Sequence, residues 1–175
     1  MNMERRATSV ELRTQGRRLS GYAATFGTAA HINDFTETIL PGAFQKSLSA
    51  GKDVLGLVDH DPHRVLARTK SGTLRLSEDM RGLQFDLDLP DTSYARDILE
   101  LVTRNDAGGM SFGFHVLEER WDGDHRELRS VDLCEISVVS SHPAYGETVV
   151  IARSRPKILF ARVAVRRRYL ESILR

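Results

Sequence analysis

A histidine at the end of an apolar run is the first residue whose surroundings suit acid–base chemistry. His60 comes shortly after Val54–Val58, with Asp59 before it and Asp61 and Pro62 after it. A strand that ends beside a rigid turn can project an imidazole into a cleft, where it could serve as a general base. A loop histidine that only bonds Asp59 or Asp61 has the same pattern, and His60 taken alone favours this second interpretation.

Ser111 has the surroundings of a possible nucleophile. Gly108 and Gly109 precede it and Gly113 follows it closely. Glycines allow the backbone to approach a ligand, which a nucleophile and its oxyanion site both require. The alternative is a serine that begins a strand and bonds the preceding turn, and this is the more common role for an isolated serine.

Glu135 is a carboxylate inside the apolar run Val131–Val139. A strand period of two predicts two faces, one with Leu133, Glu135 and Ser137 and the other with Cys134, Ile136 and Val138. Glu135 therefore faces either solvent or a polar pocket, where a buried carboxylate must be paired. Orienting an imidazole is one way to pair it. His142, within Ser140-Ser141-His142-Pro143, is a rival orienting group.

Other reactive groups give no comparable signal. Cys134 is the single cysteine, so no intrachain disulfide forms, and its apolar neighbours indicate a buried thiol. His60 and His63 with the nearby aspartates could suggest a metal site, but no second group has ligand spacing. The sequence contains no P-loop, no dinucleotide fingerprint and no Gly-x-Ser-x-Gly elbow. We therefore expect neither a metal nor an organic cofactor.

Short strands must position these residues. Leu83–Leu89 alternates apolar and polar side chains, as a strand buried on one face does, and Thr14-Gln15-Gly16 predicts a hairpin turn. Helices are predicted from Pro41 to Leu48 and over Tyr94–Arg104. The other strand-like segments are Ser9–Arg13, Arg18–Phe26, Phe35–Leu40, Val54–Val58, Val65–Thr69, Thr73–Ser77, Met110–Glu119, His125–Val131, Leu133–Val139 and Thr148–Ala152. The pattern predicts a mainly β fold with some α (α+β), an antiparallel β-barrel with helices packed outside.

The charge is distributed unevenly. Residues 153–175 contain eight basic residues against one acid, a net charge of +7; with +1 for the whole chain, residues 1–152 carry −6. We therefore predict one domain over residues 1–152 and a basic amphipathic helical tail over 153–175. Nucleic acid is an unfavoured partner because phosphate would repel the acidic body. No apolar run approaches the roughly 18 residues of a membrane span, and the first residues lack the apolar stretch of a secretory signal.

Six motifs, taken in order, resemble one family. They are Gly21-Tyr22-Ala23 with Phe26, Glu37-Thr38-Ile39-Leu40-Pro41-Gly42-Ala43-Phe44, Asp59-His60-Asp61-Pro62, Arg81-Gly82-Leu83, Met110-Ser111-Phe112-Gly113-Phe114, and Val131-Asp132-Leu133-Cys134-Glu135-Ile136-Ser137-Val138-Val139. The family is that of the prohead maturation proteases of tailed phages and gene-transfer-agent-like particles, which are similar in fold to the herpesvirus assemblin proteases. The motifs span roughly residues 20–150 of the chain.

The resemblance implies an assemblin-like β-barrel with His60 and Ser111 as the catalytic pair. It favours Glu135 as the third member, because the Glu-Ile-Ser-Val-Val context matches the family. Relatives commonly read Pro-Ala-x-Pro soon after that strand, whereas this chain reads His142-Pro143-Ala144-Tyr145-Gly146. Because assemblins use a second histidine, His142 stays an alternative third member.

The resemblance also implies a function. We expect a serine endopeptidase that cleaves scaffold, or the scaffold-like segment of the major capsid protein, and also itself. It would act inside the assembling prohead in the host cytoplasm, as a homo-oligomer such as a dimer, with no membrane. The basic tail would dock on acidic scaffold or join a dimer before self-cleavage removes it. The alternative is a catalytically idle scaffold or adaptor module with the same fold.

Overall fold

The computed structural model describes residues 2–8, 12–107 and 109–140. The elements in chain order are β1 (Glu4–Thr8), β2 (Arg13–Gln15), β3 (Arg18–Thr25), β4 (Ala30–Ile32), β5 (Phe35–Ile39), α1 (Gln45–Ser49), β6 (Leu55–Val58), β7 (Asp61–Arg68), β8 (Leu74–Glu78), β9 (Gly82–Asp88), α2 (Ser93–Thr103), β10 (Gly109–Asp122) and β11 (His125–Val139). The predicted strand Thr148–Ala152, the tail helix and His142 lie outside the described residues.

The strands form two sheets. The larger has seven strands, in the order β1-β10-β11-β5-β4, with β6 also pairing β11 and β7 pairing β6. The smaller is antiparallel, in the order β2-β3-β9-β8. The predicted mainly β, α+β class is confirmed. The described strands pair as two sheets, with no closed barrel among them, and β11 pairs in parallel with both β5 and β6.

Apolar side chains of both sheets share one core. In β9 the predicted alternation is confirmed, since Leu83, Phe85 and Leu87 are buried. In α2, which matches the predicted helix, Ala95, Ile98 and Val102 form the buried stripe. No helix in the described ranges has the length and apolarity needed to cross a membrane.

The boundaries of α1 and β1 differ from the predictions. Gly42 has φ +93°, a left-handed conformation, so the helix predicted from Pro41 begins only at Gln45. It ends at Ser49, one residue beyond the predicted Leu48, and Gly51, with φ of +62°, follows shortly after. No strand was predicted over Glu4–Thr8, which pairs antiparallel with β10. Short polar segments such as this one carry no period-two signal, so long-range pairing decides whether they become strands.

A β-bulge in β11 decides where Glu135 points. Leu133 lies opposite Phe114 and Glu135 lies opposite Gly113, so Cys134 is an extra residue without its own partner on β10. Leu133, Ile136 and Val138 therefore all belong to the core, and Glu135 and Ser137 lie on the other face. The predicted grouping of Leu133 with Glu135 and Ser137 is wrong, because one inserted residue reverses the alternation.

Candidate active site

His60 lies in a two-residue turn that joins β6 to β7. Val58 pairs with Asp61, and the turn residues Asp59 and His60 have φ of +49° and +62°. Positive φ at both central positions is the pattern of a type I′ turn, whose twist suits a tight hairpin. Aspartate and histidine tolerate this conformation better than most residues. The tight turn holds the imidazole at the end of β6, next to β11.

The two aspartates beside His60 bond other groups. The Asp59 carboxylate accepts hydrogen bonds from the backbone N–H and the hydroxyl of Ser140. The Asp59 N–H donates to the carbonyl of Val138 at 3.0 Å. Asp61 accepts the N–H of His63 at 2.9 Å. The simple interpretation of His60 as a loop histidine bonded to Asp59 or Asp61 is therefore wrong; the aspartates hold the turn.

The partner of the imidazole is Glu135. His60 Nδ1 lies 2.7 Å from Glu135 Oε1. Since an ionised carboxylate can only accept hydrogen bonds, Nδ1 carries a proton, and in the neutral imidazole Nε2 then keeps its lone pair. The Glu135 side chain is 5% exposed, whereas that of His60 is 21% exposed. The arrangement is that of an acid that fixes the tautomer of a neutral imidazole.

Two further residues satisfy the Glu135 carboxylate. The Ser137 hydroxyl donates to Oε2 at 2.9 Å and accepts the backbone N–H of His60 at 3.2 Å. Arg5 donates from Nε to Oε1 at 3.1 Å. Burial alone would raise the pKa of Glu135, but the hydrogen bond and charge of His60, the Ser137 hydroxyl and the Arg5 charge together lower it. Glu135 is thus held ionised in a buried position.

Gly113 makes room for this carboxylate. It lies opposite Glu135 in the β10–β11 pair. A Cβ added at Gly113 would lie 2.7 Å from both Cγ and Oε1 of Glu135, closer than real Cβ atoms approach. The glycine of the Ser-x-Gly-Phe motif is therefore required by the side chain across from it, a reason that the sequence did not reveal.

Ser111 lies on the same face of the sheet as Glu135. It pairs with Ser137 on β11, two cross-strand pairs along from Gly113 and Glu135, and with Ala7 on β1. Side chains of such directly opposed residues are neighbours, with Cβ atoms about 5 Å apart. The fold thus brings His60 into contact with Glu135 and places Ser111 beside Ser137.

The Ser111 hydroxyl bonds a backbone group in this conformation. Its Oγ donates to the carbonyl of Arg6 at 2.8 Å, and the residue is 1% exposed. Between Ser111 and His60, both described, there is no hydrogen bond. The simple interpretation of Ser111 as a serine bonding its own turn is wrong, because the acceptor belongs to β1, about 105 residues away in the chain.

Comparison with family models identifies the family of the chain. The model of the caudovirus prohead serine proteases matches residues 2–158, most of the chain. The chain belongs to this family. Comparison with curated proteins and with solved structures found no match. Membership confirms the predicted resemblance and makes this protein a relative of serine proteases that act in phage capsid maturation.

Two site residues of this prohead protease family member were missed by the sequence analysis. Ser137 was placed on the same face as Glu135, but its hydroxyl was given no role. Arg5 lies in a segment for which no strand was predicted. A Ser two residues after a buried Glu is a signal that could have identified Ser137. No local signal points to Arg5, which reaches Glu135 across 130 residues of sequence.

Other candidate groups lie apart from this chemistry. Burial raises the pKa of the Cys134 thiol, and the charges of Asp132 and Glu135 raise it further. A thiol in this environment is a poor nucleophile. Within residues 2–8, 12–107 and 109–140, no group of three or more His, Cys, Asp or Glu side chains is arranged to hold a metal.

Proposed function

We propose that the chain is an active serine endopeptidase with Ser111 as nucleophile, His60 as general base and Glu135 as orienting acid. The observation that carries this proposal is the 2.7 Å hydrogen bond between His60 Nδ1 and Glu135 Oε1. It commits the Nδ1 proton to the carboxylate and leaves Nε2 as the base beside the sheet face that holds Ser111.

The reaction is acyl transfer in two halves. Nε2 removes the Ser111 proton as Oγ attacks the carbonyl carbon of a peptide, and the carbonyl oxygen takes the negative charge. When this intermediate collapses, the C–N bond breaks and the imidazolium gives its proton to the leaving amine. Water then attacks the acyl-enzyme in the same way, which releases the carboxylic acid and restores the Ser111 hydroxyl.

Ser111 must first release the carbonyl of Arg6. Rotation about χ1 moves Oγ among staggered positions and changes the hydrogen-bond acceptor. Catalytic hydrogen bonds are often long or misdirected before substrate binds and tighten in the complex. We propose that a peptide bound against β10 favours the rotamer in which Oγ faces His60.

The substrates we propose are phage structural proteins. Scaffold, or the scaffold-like segment of the major capsid protein, would be cut, together with the protease itself. Cleavage would take place inside the closed prohead in the host cell, where confinement limits the proteins that an enzyme of broad specificity can reach. We further propose that the two sheets correspond to an assemblin-like barrel over residues 1–152, and that the chain acts as an oligomer.

The basic segment 153–175 would act as a docking tail. Its net charge of +7 opposes the −6 of residues 1–152 and suits acidic scaffold as a partner. Self-cleavage would then remove it. Deletion of residues 153–175 should lower the amount of protease packaged into proheads, measured by immunoblotting of purified particles. Unchanged packaging would contradict the docking role.

The test of the proposed activity compares Ser111→Ala with Ser77→Ala, an exposed serine on β8. A fluorophosphonate probe bonds an activated serine through phosphorus and releases fluoride, whatever the natural substrate. We expect labelling of the wild type and Ser77→Ala, and none of Ser111→Ala. Mass spectrometry after co-expression with capsid protein should show cleaved products for the same two proteins only.

A second candidate function rests on the buried Ser111 hydroxyl. Because it bonds the Arg6 carbonyl at 2.8 Å and is almost fully covered, an idle capsid-assembly module with the same fold is the alternative. The two candidates give opposite results in the experiment above. An unlabelled wild type, with capsid protein uncut and fold intact, would support the idle module and contradict the protease.

A further inference from the structure

The N-terminal strand supplies a cation to the proposed orienting acid. Glu135 Oε1 accepts two hydrogen bonds, from His60 Nδ1 at 2.7 Å and from Arg5 Nε at 3.1 Å. The Arg5 side chain is 34% exposed and that of Glu135 is 5% exposed. Arg5 lies opposite Gly113 in the β1–β10 pair, and Gly113 lies opposite Glu135. The guanidinium therefore crosses the gap that the glycine leaves.

A buried carboxylate requires a counter-charge. Ser137, its third partner, is neutral. In the part of the chain that the structure describes, the cations that contact Glu135 are Arg5 and, when protonated, His60. If Arg5 were absent, the buried negative charge would favour a protonated imidazole. A protonated imidazole cannot accept the Ser111 proton, so balancing the charge through His60 alone would oppose its role as a base.

We infer that Arg5 is a positioning residue of the active site, which holds Glu135 ionised while His60 is neutral and so keeps Nε2 free to accept the Ser111 proton. The inference rests on the proposed function, because it concerns the protonation state of the proposed base, His60, before the reaction begins. An arginine suits this role because it keeps its charge at every pH at which a protein is folded.

The charged groups near the His60–Glu135 pair come from β1, from β11 and from the hairpin that carries His60. Arg5 belongs to β1 and Glu135 to β11. The neighbouring residues of β10, Ser111 and Gly113, are uncharged. On the hairpin of His60 itself, the Asp59 carboxylate is bonded to Ser140. Asp61 accepts the N–H of His63 and pairs with Arg64. Because these aspartates have their own partners, the balance of charge around His60 is set mainly by Glu135 and Arg5.

We expect a substitution of Arg5 to leave β1 paired with β10. Arg6, the next residue, projects to the opposite face of β1 and bonds Glu37 and Glu4 there. It is 3% exposed and anchors β1 in the core. We therefore expect Arg5→Gln to fold with β1 in place, which makes the charge at position 5 accessible to experiment.

The experiment measures the rate constant of fluorophosphonate labelling against pH for the wild type, Arg5→Gln and Arg5→Lys. In Arg5→Gln the acidic limb of the profile should move up by roughly one pH unit, since a cation at this distance changes proton affinity by about that amount. At pH values below the limb, labelling should be about tenfold slower; above it, labelling should stay close to wild type. Arg5→Lys should restore the wild-type limb. Arg96→Gln, which changes an exposed arginine on α2, is the matched control.

A second readout does not depend on activity. In the Ser111→Ala background, the ¹⁵N resonances of the His60 ring report the protonation of the imidazole. With Arg5 present, the neutral ring should carry its proton on Nδ1. Arg5→Gln should raise its titration midpoint by roughly one pH unit, in agreement with the acidic limb.

Several results would overturn the inference. A rate that falls equally at every pH in Arg5→Gln would assign Arg5 a merely structural role. An unchanged acidic limb together with an unchanged His60 titration would show that Arg5 has no effect on the base. A wild type that labels no faster than Ser111→Ala would instead contradict the proposed function, and the ¹⁵N titration would then decide the role of Arg5 by itself.

Discussion

The two faces of β1 carry two carboxylate–cation clusters with opposite properties. On one face, Arg6 and Arg126 bind Glu4 and Glu37, and Arg126 also binds Glu119. On the other, Arg5 and His60 bind Glu135. Adjacent residues of a strand point to opposite faces, so Arg5 and Arg6 separate the clusters. We name them the anchor cluster and the site cluster.

The two cations of the anchor cluster, Arg6 and Arg126, are permanent charges. Arg126 Nη1 donates to Glu4 and Glu37 at 2.8 and 2.9 Å, and Arg6 bonds both oxygens of Glu37. Burial would lower the pKa of Arg126, but hydrogen bonds and charges from the three glutamates raise it. Neither arginine of the cluster can release a proton under conditions in which the protein is folded. This cluster therefore ties β1, β5 and β11 together and performs no chemistry.

The site cluster contains an imidazole, the type of side chain that proteins use to gain and lose protons. An imidazole replaces the second guanidinium, and His60 keeps about a fifth of its side chain exposed. The comparison teaches that a buried carboxylate by itself indicates neither structure nor catalysis. The cation paired with the carboxylate decides between the two roles, because a guanidinium keeps its charge whereas an imidazole can gain or lose it.

The largest expected effect comes from Glu135→Gln. The amide can donate to Nδ1 and so favour the wrong tautomer, in which Nε2 carries the proton. We expect the fluorophosphonate labelling rate to fall by about 10³–10⁴. Glu37→Gln, the same change in the anchor cluster, should leave the rate per folded molecule unchanged. A wild-type rate in Glu135→Gln would remove Glu135 from the mechanism and favour His142.

The next effect is one of stability and belongs to the anchor cluster. Arg126→Met leaves Glu4 and Glu37 with a single arginine between them in the core. We expect the free energy of unfolding in urea to fall by about 3–5 kcal/mol, the usual cost of breaking a buried ion pair. Arg96→Met, on the exposed face of α2, should cost less than about 1 kcal/mol. Equal effects of the two variants would show that the anchor cluster contributes little to stability.

A smaller effect on activity is expected from Gly113→Ala. The added Cβ would lie 2.7 Å from Glu135 Cγ and Oε1, so the carboxylate must move. A displacement of this size should slow labelling by about 10- to 100-fold. Gly56→Ala on β6 is the control, since its Cβ meets the end of the Leu87 side chain at 3.0 Å and its other neighbours, in Ala67, lie at ordinary contact distances of 3.5 and 3.7 Å. Unimpaired labelling of Gly113→Ala would show that the position of Glu135 is not critical.

The smallest effect concerns acid stability. The pKa of Glu4 lies below its ordinary value of 4.5, because Arg126 and Arg6 outweigh the burial that would raise it. The stabilisation from Glu4 is thus complete above about pH 4.5 and is lost as pH falls through the lowered pKa. Urea unfolding between pH 6 and pH 3 should show a shallower pH dependence for Glu4→Gln than for the wild type, by about 1 kcal/mol over the range. Identical slopes would place the acid-sensitive carboxylates elsewhere, with Glu135 the first to examine.

Much of the local structure could be predicted from the sequence. The alternation in β9 and the apolar stripe of α2 are repeated, short-range patterns, and both elements lie where they were expected. His60, Ser111 and Glu135 were singled out because turn residues, glycines and an acid in an apolar run are local features. The family motifs, now supported by the family model, joined them into one hypothesis.

The strand pairings and the contacts of the site could not be predicted in this way. The bulge at Cys134 reverses the face of every residue after it, and it exists only in the pairing of β11 with β10. Arg5 contacts Glu135 across 130 residues, and Ser111 contacts Arg6 across 105. Such contacts depend on which strands become neighbours in the sheet, and the local sequence around either residue does not indicate which strands will pair.

By itself, then, the sequence determined the strands and helices that have a clear short-range period, and the side chains that have the chemistry for acyl transfer. The short strands β1 and β4 have no such period and were not predicted. Only the tertiary structure decided that the carboxylate of Glu135 turns away from the core, that Arg5 shares it with His60, and that Arg6 anchors the same strand on its other face. The physical reason is that a strand of a few residues gains stability from its neighbours in the sheet, and those neighbours are chosen by the packing of the whole chain.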